Sequence, residues 1–421
     1  MQSKYEIYSD IKEKLSGLTY KGIDLCGPAS AILANIIFSK RSDRKKYRSA
    51  IKLLWREPKH TYRSEITGNI VTWNTTRIDH KKNAEQITKT ISGREAKFKL
   101  IHIPNIQSDY KNRISLKIFF EAFKITRSIR VTKSHFLYVL AAITYTIRQY
   151  DSLTKYRIPE KIDILIAYNS SNIPECFLTT LCKSYKIPTF SIQHALYQDY
   201  KKEVPLDVIN YENVTAETLL VWSAFCRNQI LDFYNRENRT PNFKMPVAGY
   251  LKKTKLSTCR SAHNRNNSQI LCLLPRDEID SSISLLEILK SFHPSQKFII
   301  RFHPVSNIAK IVSDKLPDNF TIDTSDSLDT TLEKYEISLA VGFNTTSIFD
   351  VLLYDIPCAI YDAPDCTIKP TGIPVFKTLK ELSTTLSEKH SNLSAAEYIL
   401  GANISKYTEI VHLNPTTDKS N

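Results

Sequence analysis

The chain runs to 421 residues, more than one ordinary core accommodates, so two domains are expected. Hydrophobic residues at 42% and aromatics at 10% exclude a disordered chain, and only 9 glycines leave little material for a Gly-rich phosphate loop. The net charge of +15 admits nucleic acid, an anionic membrane surface or an anionic substrate as a partner.

In chain order, Met1 to Lys12 is polar and charged, so a secretory signal is not expected there. Gly22–Leu25 and Lys99–Ile103 read as short strands. Between Arg41 and Arg63, seven basic residues (Arg44, Lys45, Lys46, Arg48, Lys52, Arg56, Lys59) meet only Asp43 and Glu57. From Lys111 to Lys133, Lys117, Lys124, Arg127 and Arg130 interleave with Phe119, Phe120 and Phe123. At helical spacing such a segment has a cationic amphipathic face suited to a membrane surface, and equally the makeup of a solvated helix over a buried aromatic stripe. One long helix is expected over Ile114–Tyr150. Its most apolar part, Phe136 to Ile147, falls short of the roughly 20 residues that span a bilayer.

Further on come a strand at Asp163–Ala167, a helix at Pro174–Tyr185, strands at Thr189–Gln193 and Leu219–Trp222, a helix at Ala224–Tyr234 and a strand at Pro246–Ala248. A polar stretch without periodicity follows, expected as a linker over 251–268. Beyond it, apolar runs at Gln269–Leu274, Lys297–Phe302, Asn319–Ile322, Ile337–Val341 and Cys358–Tyr361 alternate with helix-period segments. Those segments are Ser282–Phe292, Ile308–Lys315, Leu328–Lys334, Thr346–Tyr354 and Leu379–Glu388. Strands alternating with helices imply right-handed βαβ units and a parallel sheet covered on both faces. The expected division is an α/β domain over 1–250, the linker, a nucleotide-binding domain over 269–390, and a C-terminal helix and tail over 391–421.

The eight cysteines lack metal-ligand spacing, and several lie inside apolar runs, so they read as reduced core residues. Ligands of open α/β sheets bind beyond the carboxyl ends of the strands, so the chemistry is sought there. No GxGxxG occurs, nor GxxxxGK followed by Ser or Thr, so phosphate is to be held another way. After Ile337–Val341 stands Gly342-Phe343-Asn344-Thr345-Thr346-Ser347. Asn and hydroxyl residues at a helix start supply a cap, side-chain donors and an anion site without glycines. Asp350, a turn further, is expected on a ribose hydroxyl. His303, after Lys297–Phe302, and Arg301 on the same strand face are candidate phosphate contacts. A second His-Pro, His293-Pro294, precedes the strand and reads as a structural turn. Arg276 follows Gln269–Leu274 and faces phosphate, base or its own loop. Gln193, His194 and Asp199 follow the strand at Thr189, with His194 as a candidate general base or as a contact to donor phosphate across the cleft. No Asp-x-Asp occurs, which favours neutralisation of phosphate by dipoles, His and Arg; no metal and no cofactor are expected.

Several segments together carry a resemblance: Ile187 to His194 ending in Gln-His, Val221-Trp222-Ser223, Val247-Ala248-Gly249, Arg301-Phe302-His303-Pro304, and Gly342 through Tyr361. In this order they resemble bacterial capsule and lipopolysaccharide glycosyltransferases of the GT-B architecture, including those using CMP-activated Kdo or sialic acid, and are similar to CDP-glycerol glycerophosphotransferases. The family commonly has Gly after Gln-His, where Ala195 stands here, and often Ser where Asn344 stands. The resemblance covers about residues 160–365. It implies two Rossmann-like doubly wound domains facing a cleft, and a CMP- or CDP-linked donor held by His303 and Thr345–Ser347, with Asp350 on the ribose. It further implies His194 as the leading catalytic candidate and a glycan or lipid-linked acceptor. The expected place is cytoplasmic and peripheral on the inner membrane. A sugar-nucleotide epimerase of the same fold is the nearest alternative. A nucleic-acid-binding protein is the alternative of another class, disfavoured because the basic residues form no recognised reader motif.

Overall fold

The structure is a computed structural model. It describes residues 3–39, 41–55, 66–74, 78–93, 97–103, 116–155, 157, 159–197, 204, 206, 209–252, 269–276, 278–292, 294–303, 306, 308–312, 316–364, 366–387, 393–401, 404 and 406–412. The stretch 253–268, most of the expected linker, lies outside the described residues, as do His293 and Cys259.

The first half comprises α1 (Lys4–Leu15), β1 (Thr19–Tyr20), β2 (Ile23–Asp24), α2 (Cys26–Ile37), α3 (Asp43–Trp55), β3 (Gly68–Trp73), α4 (Ile78–Ile91), β4 (Phe98–His102), α5 (Leu116–Ser128) and α6 (Lys133–Lys155). It continues with β5 (Ile162–Ala167), α7 (Glu175–Ser184), β6 (Thr189–Ile192), α8 (Ile209–Glu212), β7 (Thr218–Leu220) and α9 (Ala224–Arg236). The second half comprises β8 (Gln269–Leu274), α10 (Ile279–Lys290), β9 (Phe298–Phe302), α11 (Ile308–Val312), β10 (Phe320–Ile322), α12 (Leu328–Lys334), β11 (Ile337–Gly342) and α13 (Ser347–Asp350). Last come β12 (Cys358–Tyr361), β13 (Val375–Phe376), α14 (Leu379–Ser387), α15 (Leu393–Leu400) and α16 (Lys406–His412).

Two parallel sheets result, and the protein is an α/β fold of two Rossmann-like units. The C-terminal sheet has the order β10-β9-β8-β11-β12-β13, and the N-terminal sheet β4-β3-β5-β6-β7. In both, neighbouring strands pair in parallel. Strands covered on both faces need apolar residues at successive positions, as in β8 and β12, which are buried almost throughout. One core lies under the N-terminal sheet among α1, α2, α6 and α7, a second on its opposite face, and a third fills the C-terminal unit. That third core includes Leu196, Trp222, Cys226 and Tyr250 of the first half, so apolar packing joins the units.

The first half departs from the sequence reading in four places, one being Pro246–Ala248, where in place of the expected strand Val247 makes an isolated bridge to Val221. Gly22–Leu25 is not a sheet strand: Ile23–Asp24 is one arm of a two-residue-loop hairpin, with Lys21 and Gly22 both at positive φ. That pair of left-handed residues is what such a tight turn requires. The single helix expected over Ile114–Tyr150 is two, α5 and α6, parted near Arg130, whose φ is 49°. Finally β3, which the sequence reading passes over, is the strand about which the N-terminal sheet changes direction. The apolar stretch Phe136–Ile147 lies within α6, buried over Tyr138–Tyr150 and packed against α2, α3 and α5. Among the described residues, no helix is long and apolar enough to cross a membrane.

The C-terminus returns across the molecule. α15 packs on α9, and α16 packs on α4, where the Thr408 hydroxyl donates to Thr90 O at 3.0 Å. Gly401 makes the first contact possible. It caps α15 at φ +79°, and a Cβ there would stand 2.1 Å from Trp222 O. Of the seven described cysteines, all unpaired, six are buried and Cys26 is half-buried. Burial pushes thiols such as that of Cys226 upward, so they are inert core groups.

Candidate functional site

Numbered from β8, the C-terminal strand order is 3-2-1-4-5-6, with its reversal between β8 and β11. Ligands of such sheets lie in the crevice beyond the strands at that reversal. Here the crevice lies between the loop after Leu274 and the turn after Gly342. Gly342 is required because a Cβ would stand 2.3 Å from Leu273 O on the neighbouring strand. Asn344 follows with φ 46°, in the left-handed region that Asn tolerates. Its Nδ2 donates to Glu278 Oε1 at 3.2 Å and its Oδ1 accepts from Thr367 N at 3.0 Å. Asn344, expected on the nucleotide, is therefore buried as the tie between three loops around the crevice.

Thr345, Thr346 and Ser347 are half-buried at the crevice. The helix expected over Thr346–Tyr354 is instead the short α13 followed by a 3-10 turn over Val351–Tyr354. Thr346 O accepts from Phe349 N at 2.9 Å and Asp350 N at 3.3 Å, which sets the first turn. The Thr346 hydroxyl accepts from Leu196 N at 3.2 Å, in the loop after β6 of the other unit. The carboxyl ends of the two sheets thus face one another, with His194 two residues from the contact.

Gln193 is a correction to the sequence reading. It is 1% exposed, its Nε2 donates to Ala195 O at 2.9 Å, and its Oε1 accepts from Trp222 N at 2.9 Å. The Trp222 indole N–H donates to Gln193 O at 2.8 Å, and the Tyr211 hydroxyl to Ala195 O. A side chain so enclosed shapes the loop instead of meeting substrate. His194, next in sequence, is half-buried and lies with its ring centroid 6.2 Å from His80 and 6.0 Å from Tyr168. His80 and Tyr168 are 4.9 Å apart, and Asn83 Nδ2 donates to the Tyr168 hydroxyl at 3.3 Å. His80 was not singled out from sequence: it lies on α4 after an unread strand and has no motif around it.

Beneath this group lies Glu175, fully buried. Its Oε1 accepts from Thr72 Oγ1 at 2.7 Å and Tyr168 N at 2.8 Å, and its Oε2 from Asn169 N at 3.1 Å. Burial pushes its carboxyl up to about 7, and the three donors only partly offset that. Glu175 fixes the loop after β5 onto β3.

The remaining candidates are scattered. Asp199 lies outside the described residues. Arg301 is turned away from the role expected of it. Its Nη1 lies 2.5 Å from Asp323 Oδ2, 2.9 Å from Ser325 O and 3.0 Å from Thr331 Oγ1, clamping β9 to the loop after β10. Burial opposes the Asp323 charge, but hydrogen bonds from Ser325, Thr331 and Arg301 outweigh it and hold the carboxyl below its usual range. His303, half-buried, follows β9, which pairs Phe302 with Leu274 and so puts His303 beside the loop carrying the exposed Arg276. Asp350, expected on a ribose, is 7% exposed and faces the other unit. It accepts from the Tyr250 hydroxyl, and Lys252 Nζ lies 2.7 Å from its second oxygen. Burial alone would lower the Lys252 ammonium, but the Asp350 charge outweighs it and raises it. Among the described residues, no group of three or more His, Cys, Asp or Glu side chains is placed to hold a metal ion.

No family model matches the sequence, and no curated protein does. Among solved structures, the chain is similar to UDP-GlcNAc 2-epimerase from Neisseria meningitidis bound to UDP-GlcNAc, with a TM-score of 0.48 and 15% identity over 82% of this chain and 98% of that one. It is similar to the lipopolysaccharide outer core galactosyltransferase WaaB in its apo form, with a TM-score of 0.43 and 10% identity over 82% and 94%. It is also similar to the wall teichoic acid polymerase TagF with CDPG, with a TM-score of 0.44 and 9% identity over 98% and 97%. Likenesses this distant say nothing of donor or reaction, and the residues above carry the functional argument.

Proposed function

We propose that the protein is a metal-independent glycosyltransferase that moves a sugar or polyol-phosphate unit from a CMP- or CDP-linked donor to a surface glycan. The observation carrying this reading is the Leu196 N to Thr346 Oγ1 contact, which sets a His-bearing loop of one unit against the hydroxyl turn of the other. In this reading Thr345, Thr346, Ser347 and His303 hold the donor phosphates, with Arg276 at the mouth of the crevice. His194, beside His80 and Tyr168, stands on the acceptor side. The acceptor oxygen bonds to the transferred centre as the bond to the nucleotide phosphate breaks, and its proton passes to His194. Docking of the two units excludes water, so transfer competes with hydrolysis.

The reading places the enzyme on the anionic inner face of the cytoplasmic membrane. Trp55 and Ile51 on α3 are 70% and 46% exposed, and Leu116 and Phe120 on α5 are 75% and 64% exposed. These stand among Arg44, Lys45, Arg48, Lys52, Lys117 and Lys124, and both helices pack on α6. Exposed large apolar groups within a basic face suit an anionic lipid surface.

The test is thermal melting with CMP, CDP, UDP and GDP, with and without EDTA. A ligand present at 100 times its Kd adds about 2.7 kcal/mol to the native state. A rise in Tm with one cytidine nucleotide, unchanged by EDTA, is expected. No rise with any of the four removes the transferase reading, and product formed from donor alone would replace it with epimerisation.

A further inference from the structure

The N-terminal sheet has its own reversal, between β3 and β5, and two adjoining cavities open there. The smaller, about 320 Å³, lies at that reversal and is lined by Asn35, Asn74, Asn172 and Asn210. Asn74 follows β3 and Asn172 follows β5, so this is the position at which an open sheet takes a ligand. The amides are held in place: Asn74 Nδ2 donates to Ile173 O at 3.4 Å, and Asn172 Nδ2 to Asn210 Oδ1 at 3.3 Å. Primary amides offer both donors and acceptors to vicinal hydroxyls.

The larger cavity, about 430 Å³, shares Asn35 and Ile173 with the first and reaches between α2, α3 and α6. Its walls combine Ile32, Leu53 and Tyr145 with Arg41, Lys46 and Ser49, and among the described residues no carboxylate lines it. Arg41 Nη1 donates to Ser49 Oγ at 3.2 Å, and Lys46 Nζ to Ile37 O at 3.3 Å. Asp43, the acidic partner of Lys46 among the described residues, lies 3.7 Å from its Nζ with its side chain 89% exposed, too solvated to neutralise it. Two cations beside the apolar Ile32, Leu53 and Tyr145 suit a phosphate ester bearing an aliphatic chain. The same helix α3 carries the exposed Ile51 and Trp55.

We propose that the two cavities form one acceptor channel for a lipid-linked sugar phosphate. The phosphate sits on Arg41 and Lys46, the first part of the chain on Ile32, Leu53 and Tyr145, and the sugar among the four asparagines. The proposal rests on the transferase reading and names its acceptor class.

The test measures binding of farnesyl phosphate, glucose 1-phosphate and inorganic phosphate to the full chain by calorimetry, beside the nucleotide melting experiment. Farnesyl phosphate is expected to bind at least tenfold more tightly than the other two. The double variant Arg41→Gln with Lys46→Gln is expected to weaken it at least tenfold, as is Ser49→Trp, which fills the larger cavity, while the Tm rise with nucleotide is retained. Two variants of different kind guard against a loss of folding, which an unshifted Tm without ligand excludes. Equal affinity for glucose 1-phosphate overturns the lipid half of the proposal. Farnesyl phosphate that does not bind, or binds both variants as it binds the parent, overturns the channel and leaves the nucleotide result standing. A failed nucleotide result with farnesyl phosphate still bound overturns the transferase reading instead.

Discussion

Lys252 Nζ stands 2.7 Å from Asp350 Oδ2, and the pair joins the end of the first unit to the turn that follows the hydroxyl residues of the second. With the Tyr250 hydroxyl on the other oxygen, Asp350 is a latch between the units. Asp350 N also donates to Thr346 O at 3.3 Å, so the latch adjoins the turn that meets the loop carrying His194.

Removing one partner of a buried pair leaves the other uncompensated, at roughly 3–5 kcal/mol. Lys252 is 33% exposed in its side chain, so solvent lowers the expected loss for Asp350→Asn to about 2 kcal/mol. Lys252→Met is expected to cost a similar amount, and the double variant less than the sum. A double-mutant cycle by Tm and denaturant unfolding measures this, and additive losses would remove the latch.

Gly401 stands where a side chain has no room. At φ +79°, with Trp222 O 2.1 Å from any Cβ, Gly401→Ala meets both backbone strain and a clash. The expected outcome is a loss of about 3 kcal/mol together with faster amide exchange over 393–400, as α15 lifts from α9. Unchanged exchange there would mean that α15 is held without this contact.

Glu175 gives the protein a pH dependence of definite sign. Its carboxyl is raised from 4.5 to about 7 by burial, so the folded state keeps its proton to higher pH than the unfolded state. Below pH 4.5 both states are protonated and the group takes nothing from stability. As pH rises towards 7 the unfolded state ionises first and stability falls, by roughly 3 kcal/mol in all. Glu175→Gln should remove this fall, read as the difference between parent and variant denaturation midpoints from pH 4.5 to 8. The amide cannot accept from both Tyr168 and Asn169, which offsets the variant by a constant and leaves the slope readable. Parallel pH profiles would show that Glu175 is ionised throughout.

The second half was legible because its strands are covered on both faces and read as unbroken apolar runs bounded by turns. Leu328–Lys334 and Cys358–Tyr361 match the structure residue for residue. In the first half β3, with its polar Asn69 and Thr72, lacks such a run. At the site, the sequence identified strand ends but not the direction of side chains. All four residues of β6 are buried, so period-two alternation does not tell that Gln193 turns inward while His194 stays half-exposed. Arg301 and Asp350 are paired with Asp323 and with Lys252, far away in the chain, and no local pattern announces either pairing. His80 reaches the site only because α4 packs over β3, a tertiary fact.

On the proposed transferase reading, His194 and His303 divide catalysis from binding. His303 lies beside the crevice loop that carries Arg276, so His303→Ala is expected to weaken nucleotide binding at least tenfold, at an unchanged Tm without ligand. His194 stands across the Leu196–Thr346 contact, in the loop of the other unit. His194→Ala is therefore expected to keep the nucleotide-induced rise in Tm and to lower turnover roughly 10²–10⁴-fold, the range of a lost general base. His80→Ala, which removes only the neighbouring ring, should lower turnover less. Equal losses of nucleotide affinity in the His194 and His303 variants would mean that His194 also binds donor phosphate. Full turnover in His194→Ala would move the base to another residue, with His80 the next to test.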